Sequence, residues 1–256
     1  VLLPQIIAHR GNKSVAPENT LPAFASALRA GTQSIEMDVV LSRDGVAMVI
    51  HDETLDGTTS GAGAVAEFTA EQIQALDAGA WFHPAFSGVK VPTFNEFADL
   101  MVDAPEVEIL LEFKGDWSPS QAQLVVDAVV ERGLLERTIL QSFSRVSVES
   151  LLAIAPGARR GVLTEYDFDE LIGLCTAAGI CTLNPDVDYV LAHPEFVAAI
   201  HDAGMKTMVW TANEPAQWQQ LVELSVDGII TDRPDALAGW YAGLEVGLGV
   251  GLEARR

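Results

Sequence analysis

Short apolar runs alternate with longer amphipathic stretches along almost the whole chain. Short apolar runs over 5–8, 34–37, 108–112, 138–141, 159–163, 180–183, 206–209 and 228–230 predict eight strands. Such short, continuous apolarity suits strands buried on both faces. Between them, apolar residues recur at helical spacing over 21–30, 94–101, 120–132, 146–154, 168–178, 194–203, 215–224 and 234–242. Ser118-Pro119, Asn213-Glu214-Pro215 and Asp232-Arg233-Pro234 are helix starts, each a capping residue type followed by proline in the first turn. Gly31, Gly133, Gly179 and Gly204 stand where helices end. Strand followed by helix predicts a parallel α/β sheet, and eight such units predict closure into a TIM (β/α)8 barrel. The 256 residues match one such barrel, for which roughly 250 is usual.

One stretch breaks the rhythm. From about 39 to 92 the chain adds a strand over 46–50 after the turn Arg43-Asp44-Gly45. Gly/Thr/Ser-rich sequence and a short helix over 70–76 follow. This reads as a small subdomain inserted after strand two, over the C-terminal face where barrel enzymes build their active sites. The expected organisation is one barrel domain over 1–242 with that insertion, and a glycine-rich tail over 243–256. The tail's Gly247-Leu248-Gly249-Val250-Gly251 reads as an extension, since no GxxxxGK[ST] phosphate loop is present.

Composition narrows the partners. Lys+Arg is 15 against 36 Asp+Glu, a net charge of −21. Such a surface repels nucleic acid and anionic membranes. It would repel a phosphate substrate too, unless the site itself holds cations. No run of about 18 apolar residues occurs, so no transmembrane helix is expected. Cys175 and Cys181 have neither metal-type nor redox-motif spacing and read as free thiols. Val1 opens the sequence without a basic n-region or an apolar h-region. That fits a cytoplasmic protein and equally a secreted one whose signal peptide has been removed.

Chemistry gathers at the predicted strand ends. His9-Arg10-Gly11 follows strand one. Glu36 and Asp38 lie two apart in strand two, and so do Glu112 and Lys114 in strand three, so each pair shares a face. His51-Asp52 follows the extra strand, Trp210 to Asn213 follow strand seven, and Thr231-Asp232 ends strand eight. In a barrel these residues converge on one mouth. Glu36, Asp38 and Glu112 offer three oxygen ligands of the kind Mg²⁺ or Ca²⁺ takes, and three adjacent acids are costly without a cation. Arg10 and Lys114 suit phosphate oxygens. His9 and His51 suit acid–base work near neutrality. Singly, each has a plainer structural explanation; the joint placement is what points to phosphodiester cleavage. His83, His193 and His201 lack that placement.

These residues sit in segments that resemble the glycerophosphodiester phosphodiesterase family. The matching text runs Ile7-Ala8-His9-Arg10-Gly11, Ala16-Pro17-Glu18-Asn19-Thr20, Ile35-Glu36-Met37-Asp38-Val39, and His51-Asp52-Glu53-Thr54-Leu55. Leu76-Asp77-Ala78-Gly79, Val91-Pro92-Thr93, Leu111-Glu112-Phe113-Lys114, Ser142-Phe143 and Val209-Trp210-Thr211 continue it in order. The resemblance implies a TIM barrel with this insertion. It also implies metal-dependent hydrolysis of glycerophosphodiesters to glycerol 3-phosphate and an alcohol. By motif match, one divalent ion, Mg²⁺ or Ca²⁺, is held by Glu36, Asp38 and Glu112. His9 and His51 become the acid–base pair, Arg10 and Lys114 phosphate contacts, Glu18 and Asn19 braces, and Trp210 an apolar wall. The family often has Asp-Arg-Thr-Thr where this chain has Asp56-Gly57-Thr58-Thr59, one cation fewer near the mouth. Trp81, Phe82, Phe86 and Trp117 would suit an apolar channel, which would make a lysophospholipid the substrate, or else they simply pack. A catalytically dead barrel that binds a phosphorylated ligand is the reading from another class.

Overall fold

The computed structural model describes residues 2–166, 170–248 and 253–254. After a short β1 (Leu2–Leu3), the first barrel strands are β2 (Gln5–His9) and β3 (Ser34–Leu41), with β4 (Ala47–Val49) folded back antiparallel on β3. The barrel continues with β5 (Glu108–Phe113), β6 (Thr138–Ser142), β7 (Arg159–Thr164), β8 (Thr182–Pro185), β9 (Met208–Val209) and β10 (Gly228–Thr231). β11 (Glu253–Ala254) pairs in parallel with β1, outside the barrel. All eight barrel strands are parallel, and β10 returns to β2. The seam between β8 and β9 closes through parallel bridges, Thr182 to Lys206 and Asp186 to Trp210. Asn184 helps hold this seam. Its Oδ1 accepts the Met208 backbone N–H at 3.1 Å, and its carbonyl accepts Trp210 Nε1 at 2.8 Å.

Helices α1 (Leu21–Arg29), α2 (Ala70–Gln74), α3 (Phe94–Val102), α4 (Pro119–Glu131) and α5 (Arg145–Ile154) belong to the first half. The second half carries α6 (Leu171–Ala177), α7 (Val187–Ala192), α8 (Glu195–Asp202), α9 (Pro215–Glu223) and α10 (Pro234–Leu248). Thr93 and Ser118 cap α3 and α4 with reciprocal side-chain bonds to Glu96 and Gln121. The helices bury their apolar stripes on the outside of the strands, where Phe24, Phe97, Ile35, Met37, Phe113 and Val126 form one continuous core. Inside, Ile7, Leu110, Ile139, Met208 and Ile230 plug the barrel. His9, Glu112 and Gln141 each follow a plug residue by two positions on the same strand, and so stand on the C-terminal side of the plug, toward the mouth. The insertion has its own small core of Met48, Ile50, Leu55, Val65, Ile73 and Val91.

Several boundaries differ from the sequence pattern. β3 runs on to Leu41, past the expected end at 37, β8 starts at Thr182 rather than 180 and ends on Pro185, and β9 is confined to Met208–Val209. α7 is an extra turn-and-a-half that the pattern missed; Asp186 caps it by accepting from the N–H groups of Asp188 and Tyr189. α10 runs to Leu248, past the expected end at 242. The expected helix start at 168 falls outside the described residues, and the described helix begins at Leu171. Cys175 is buried, Cys181 half-buried, and both are free. Among the described residues no helix is long and apolar enough to cross a membrane.

Candidate active site

Strand register assembles the site. His9 faces Glu36 across β2 and β3, Asp38 faces Glu112 across β3 and β5, and Glu112 faces Gln141 across β5 and β6. The loop after β2 then turns sharply. Arg10 adopts a positive φ of 55° and Gly11 one of 84°. A Cβ on Gly11 would lie 2.6 Å from the Ala23 carbonyl carbon, so only glycine fits against α1. Three bonds hold Arg10 in this uncommon conformation. Its N–H donates to the Glu36 carbonyl at 3.0 Å and to Glu36 Oε2 at 3.1 Å, and its carbonyl accepts Asn19 N–H at 3.0 Å.

Glu36, Asp38 and Glu112 are all buried, and one carboxylate oxygen from each lies within 4.8 Å of the others. Burial, and after it repulsion from Asp38 and Glu112, pushes the Glu36 carboxyl well above its usual range. Burial and Asp38 likewise raise Glu112 to about 7, against the opposing pull of Lys114. Asp38 goes the other way. Its burial is outweighed by Arg10, His51, Lys114 and the Asn19 hydrogen bond, which hold it low. Asp38 Oδ1 nonetheless has no hydrogen-bond partner among the described residues, a costly condition for a buried charged oxygen. Three crowded hard oxygens, one of them unsatisfied, fit a single divalent cation.

Cations and braces ring this cluster. Arg10 Nη1 donates to Glu18 Oε1 at 2.7 Å, and its Nε lies 3.3 Å from Asp38 Oδ2. Asn19 Nδ2 donates to Asp38 Oδ2 at 2.8 Å. Lys114 Nζ lies 2.7 Å from Glu112 Oε1 and 3.8 Å from Asp38 Oδ1. His9 Nδ1 is 2.6 Å from Asp232 Oδ1, and Asp232 in turn accepts from Asn213 Nδ2 at 2.8 Å. His51 Nδ1 is 2.7 Å from Asp52 Oδ1, and its Nε2 is 3.0 Å from Lys114 Nζ. Burial lowers the pKa of both histidines, most simply by disfavouring the imidazolium.

His9, Arg10, Glu36, His51, Glu112, Lys114 and Trp210 all wall one cavity of about 470 Å³. Glu18, Asn19 and Asp38 stand behind them. The other histidines are elsewhere: His83 caps a short turn, His201 pairs with Asp227, and His193 lies near Glu195. Sequence reasoning passed over several wall residues, namely Gln141, Phe143, Leu163 and Glu165. Strand alternation was the available signal, because Ile139 and Gln141, like Leu163 and Glu165, continue the inward face to the mouth. Asp232 reads in the sequence both as a helix-start residue and as one of the strand-end residues at the mouth, and its carboxylate is turned to His9. Of the aromatic residues considered for a channel, only Trp117 is buried in the core. Trp117 is buried against Phe113 and donates Nε1 to the Lys114 carbonyl. Trp81, Phe82 and Phe86 stack edge-to-face within the insertion, and none of the four lines the cavity.

A closed (β/α)8 barrel with a buried triad of acids, two histidines and two cations at its C-terminal mouth defines a metal-dependent phosphodiesterase. The description "Glycerophosphoryl diester phosphodiesterase family" matches residues 9–236, and the chain belongs to that family. A glycerophosphodiester phosphodiesterase of Caldanaerobacter subterraneus is 35% identical, with 91% of this chain and 95% of that protein aligned. The crystal structure of a glycerophosphodiester phosphodiesterase from Agrobacterium tumefaciens superposes with a TM-score of 0.80 at 32% identity, covering 93% of this chain and all (100%) of that one. A phosphodiesterase from Oleispira antarctica, solved in complex with the product sn-glycerol-3-phosphate, gives 0.84 at 26% identity, covering 94% and 97%. The protein is an enzyme of this kind, a phosphoric diester hydrolase of glycerophosphodiesters.

Proposed function

We propose that hydrolysis proceeds by shared acid–base work of His9 and His51, within a single barrel domain over residues 1–242. The observation that carries this reading is that two imidazoles, each paired with a carboxylate, line one cavity. Arg10 and Lys114 take the phosphate oxygens, Arg10 through its planar fork and Lys114 as a point charge. A divalent ion held by Glu36, Asp38 and Glu112 would supply further neutralisation of phosphate charge. Glu18 and Asn19 fix Arg10 and Asp38, and Trp210 closes the cavity with an apolar face.

His9 is the base in this scheme. Its Nδ1–H donates to Asp232, which leaves Nε2 with a free lone pair for a proton. It takes that proton from the attacking hydroxyl, either of water or of the substrate's own 2-hydroxyl, which would give a cyclic phosphate that water then opens in a second step. The new O–P bond forms as the bond from phosphorus to the alcohol oxygen breaks. His51 gives its proton to that departing oxygen. Burial leads the causes that lower the His51 pKa, and Arg10 and Lys114 add to it. An anionic phosphate between those two cations offsets their effect, so substrate binding itself favours the protonated His51 the step requires. Each group contributes roughly 10²–10⁴-fold. His9→Ala and His51→Ala should therefore each lose at least about 10²-fold in kcat while remaining folded. Wild-type turnover in either variant contradicts the scheme.

A further inference from the structure

The catalytic cavity has a second, chemically different wall. Phe143 follows β6, Trp210 follows β9, and Glu165 follows β7, and all three line the cavity. Phe143 and Trp210 meet edge-to-face with ring centres 5.4 Å apart. Trp210 is held in orientation by its Nε1 bond to the Asn184 carbonyl at 2.8 Å. Phe143 is 44% exposed, so its ring is open to the cavity and to solvent. Lys114 Nζ lies 5.6 Å from its centroid, so the ring already accepts a cation at one face.

Glu165 is the unexpected member. It is exposed, and no described residue pairs with its carboxylate. Of the carboxylates lining the cavity, only Glu36, Glu112 and Glu165 are present among the described residues, and the first two belong to the buried triad. A free carboxylate facing the same cavity as an anionic phosphodiester repels it. The alternation of β7 nevertheless carries this side chain inward, after Gly161 and Leu163. Thr164 fixes the turn there, donating Oγ1 to the Tyr166 carbonyl while its own carbonyl accepts Asp186 N–H at 3.0 Å. The repulsion becomes attraction if the substrate carries a positive charge beyond its phosphate.

We propose that Glu165, Phe143 and Trp210 form a subsite for a cationic leaving alcohol, an ammonium group two carbons from the phosphate oxygen. Aromatic faces with a carboxylate are the usual recognition surface for quaternary ammonium groups. The subsite rests on the hydrolase reading above and names which of its substrates the site prefers. Glycerophosphocholine and glycerophosphoethanolamine carry the cation; glycerophosphoglycerol has the same phosphodiester and a neutral alcohol.

The test is the ratio of kcat/KM for glycerophosphocholine to that for glycerophosphoglycerol, in wild type and in Glu165→Gln, Glu165→Lys and Phe143→Leu. Glu165→Gln should lower the ratio about fivefold, the worth of one close charge pair in water. Glu165→Lys should lower it by roughly tenfold or more, since attraction becomes repulsion. Phe143→Leu should lower it about two- to fivefold by removing the ring quadrupole. The same ratio in wild type and both Glu165 variants overturns the subsite and leaves the hydrolase reading standing. A wild-type enzyme that hydrolyses neither substrate overturns the hydrolase reading, and the subsite with it.

Discussion

Glu112→Gln should act in opposite directions on stability and on metal binding. In the metal-free protein, Glu112 is buried beside Asp38 and is driven up to about 7 from an ordinary 4.5. A carboxyl raised in the folded state binds its proton more tightly folded than unfolded. Its favourable contribution is thus intact below about pH 4.5 and is lost as pH rises to about 7. The gap of roughly 2.5 units corresponds to about 3 kcal/mol. Glutamine keeps the shape and carries no charge, so in EDTA at pH 8 the variant should be the more stable by about that amount. For a chain of this size that is roughly 6–10 °C in Tm. At pH 4.5 the two should melt together. Saturating Mg²⁺ or Ca²⁺ should reverse the order, because a ligand at a thousand times its Kd stabilises by about 4 kcal/mol and the variant has lost a carboxylate. Scanning calorimetry at the two pH values, with EDTA and with metal, reads all four corners. A Glu112→Gln protein that is less stable than wild type in EDTA at pH 8, yet equally stabilised by metal, refutes the reasoning.

Further outcomes follow from other parts of the structure. Burial alone would raise Asp232, but the His9 hydrogen bond and the nearby His9 and Lys13 charges bring it down to about 2. A depressed carboxyl stabilises the fold above its unfolded value and loses that contribution as pH falls. Wild type should therefore lose about 2 kcal/mol between about pH 4 and 2 that Asp232→Asn does not, in acid titrations followed by circular dichroism. The same variant should lose about 10²-fold in kcat, since the His9 ring is no longer oriented. Trp117→Ala should destabilise by about 3–5 kcal/mol in denaturant unfolding, with KM unchanged, because the indole packs under the site and not in it. Gly11→Ala should cost more than about 1 kcal/mol, from its positive φ and the contact with Ala23, and lower kcat as Arg10 shifts.

The barrel was legible because strands buried on both faces leave continuous apolar runs and their helices leave caps and glycine ends. Glu36, Asp38, Glu112 and Lys114 were legible for a related reason: alternation along a strand fixes which residues share a face before any tertiary contact is known. What alternation cannot give is the partner across space. Asp232 lies 223 residues from His9, and only barrel closure brings them together. Short elements were harder. α7 spans six residues, too few for helical periodicity to declare itself, and its start depends on the single cap Asp186. β9 is reduced to two residues because Asn184 substitutes a side-chain acceptor for part of the ladder, a bond that no local pattern encodes. The aromatic residues were ambiguous for a simpler reason. Large rings suit a core and a channel equally, and only the fold decided that Trp117 packs against Phe113 in the core between strands and helices.

The most direct measurement is release of glycerol 3-phosphate from glycerophosphocholine by the purified protein, first in EDTA and then with Mg²⁺ or Ca²⁺ added back. Negligible release in EDTA, restored by metal and abolished by His9→Ala, is the expected result. Equal release with and without metal, or full release by the His9 variant, would contradict a metal-dependent hydrolysis that uses His9 as its base.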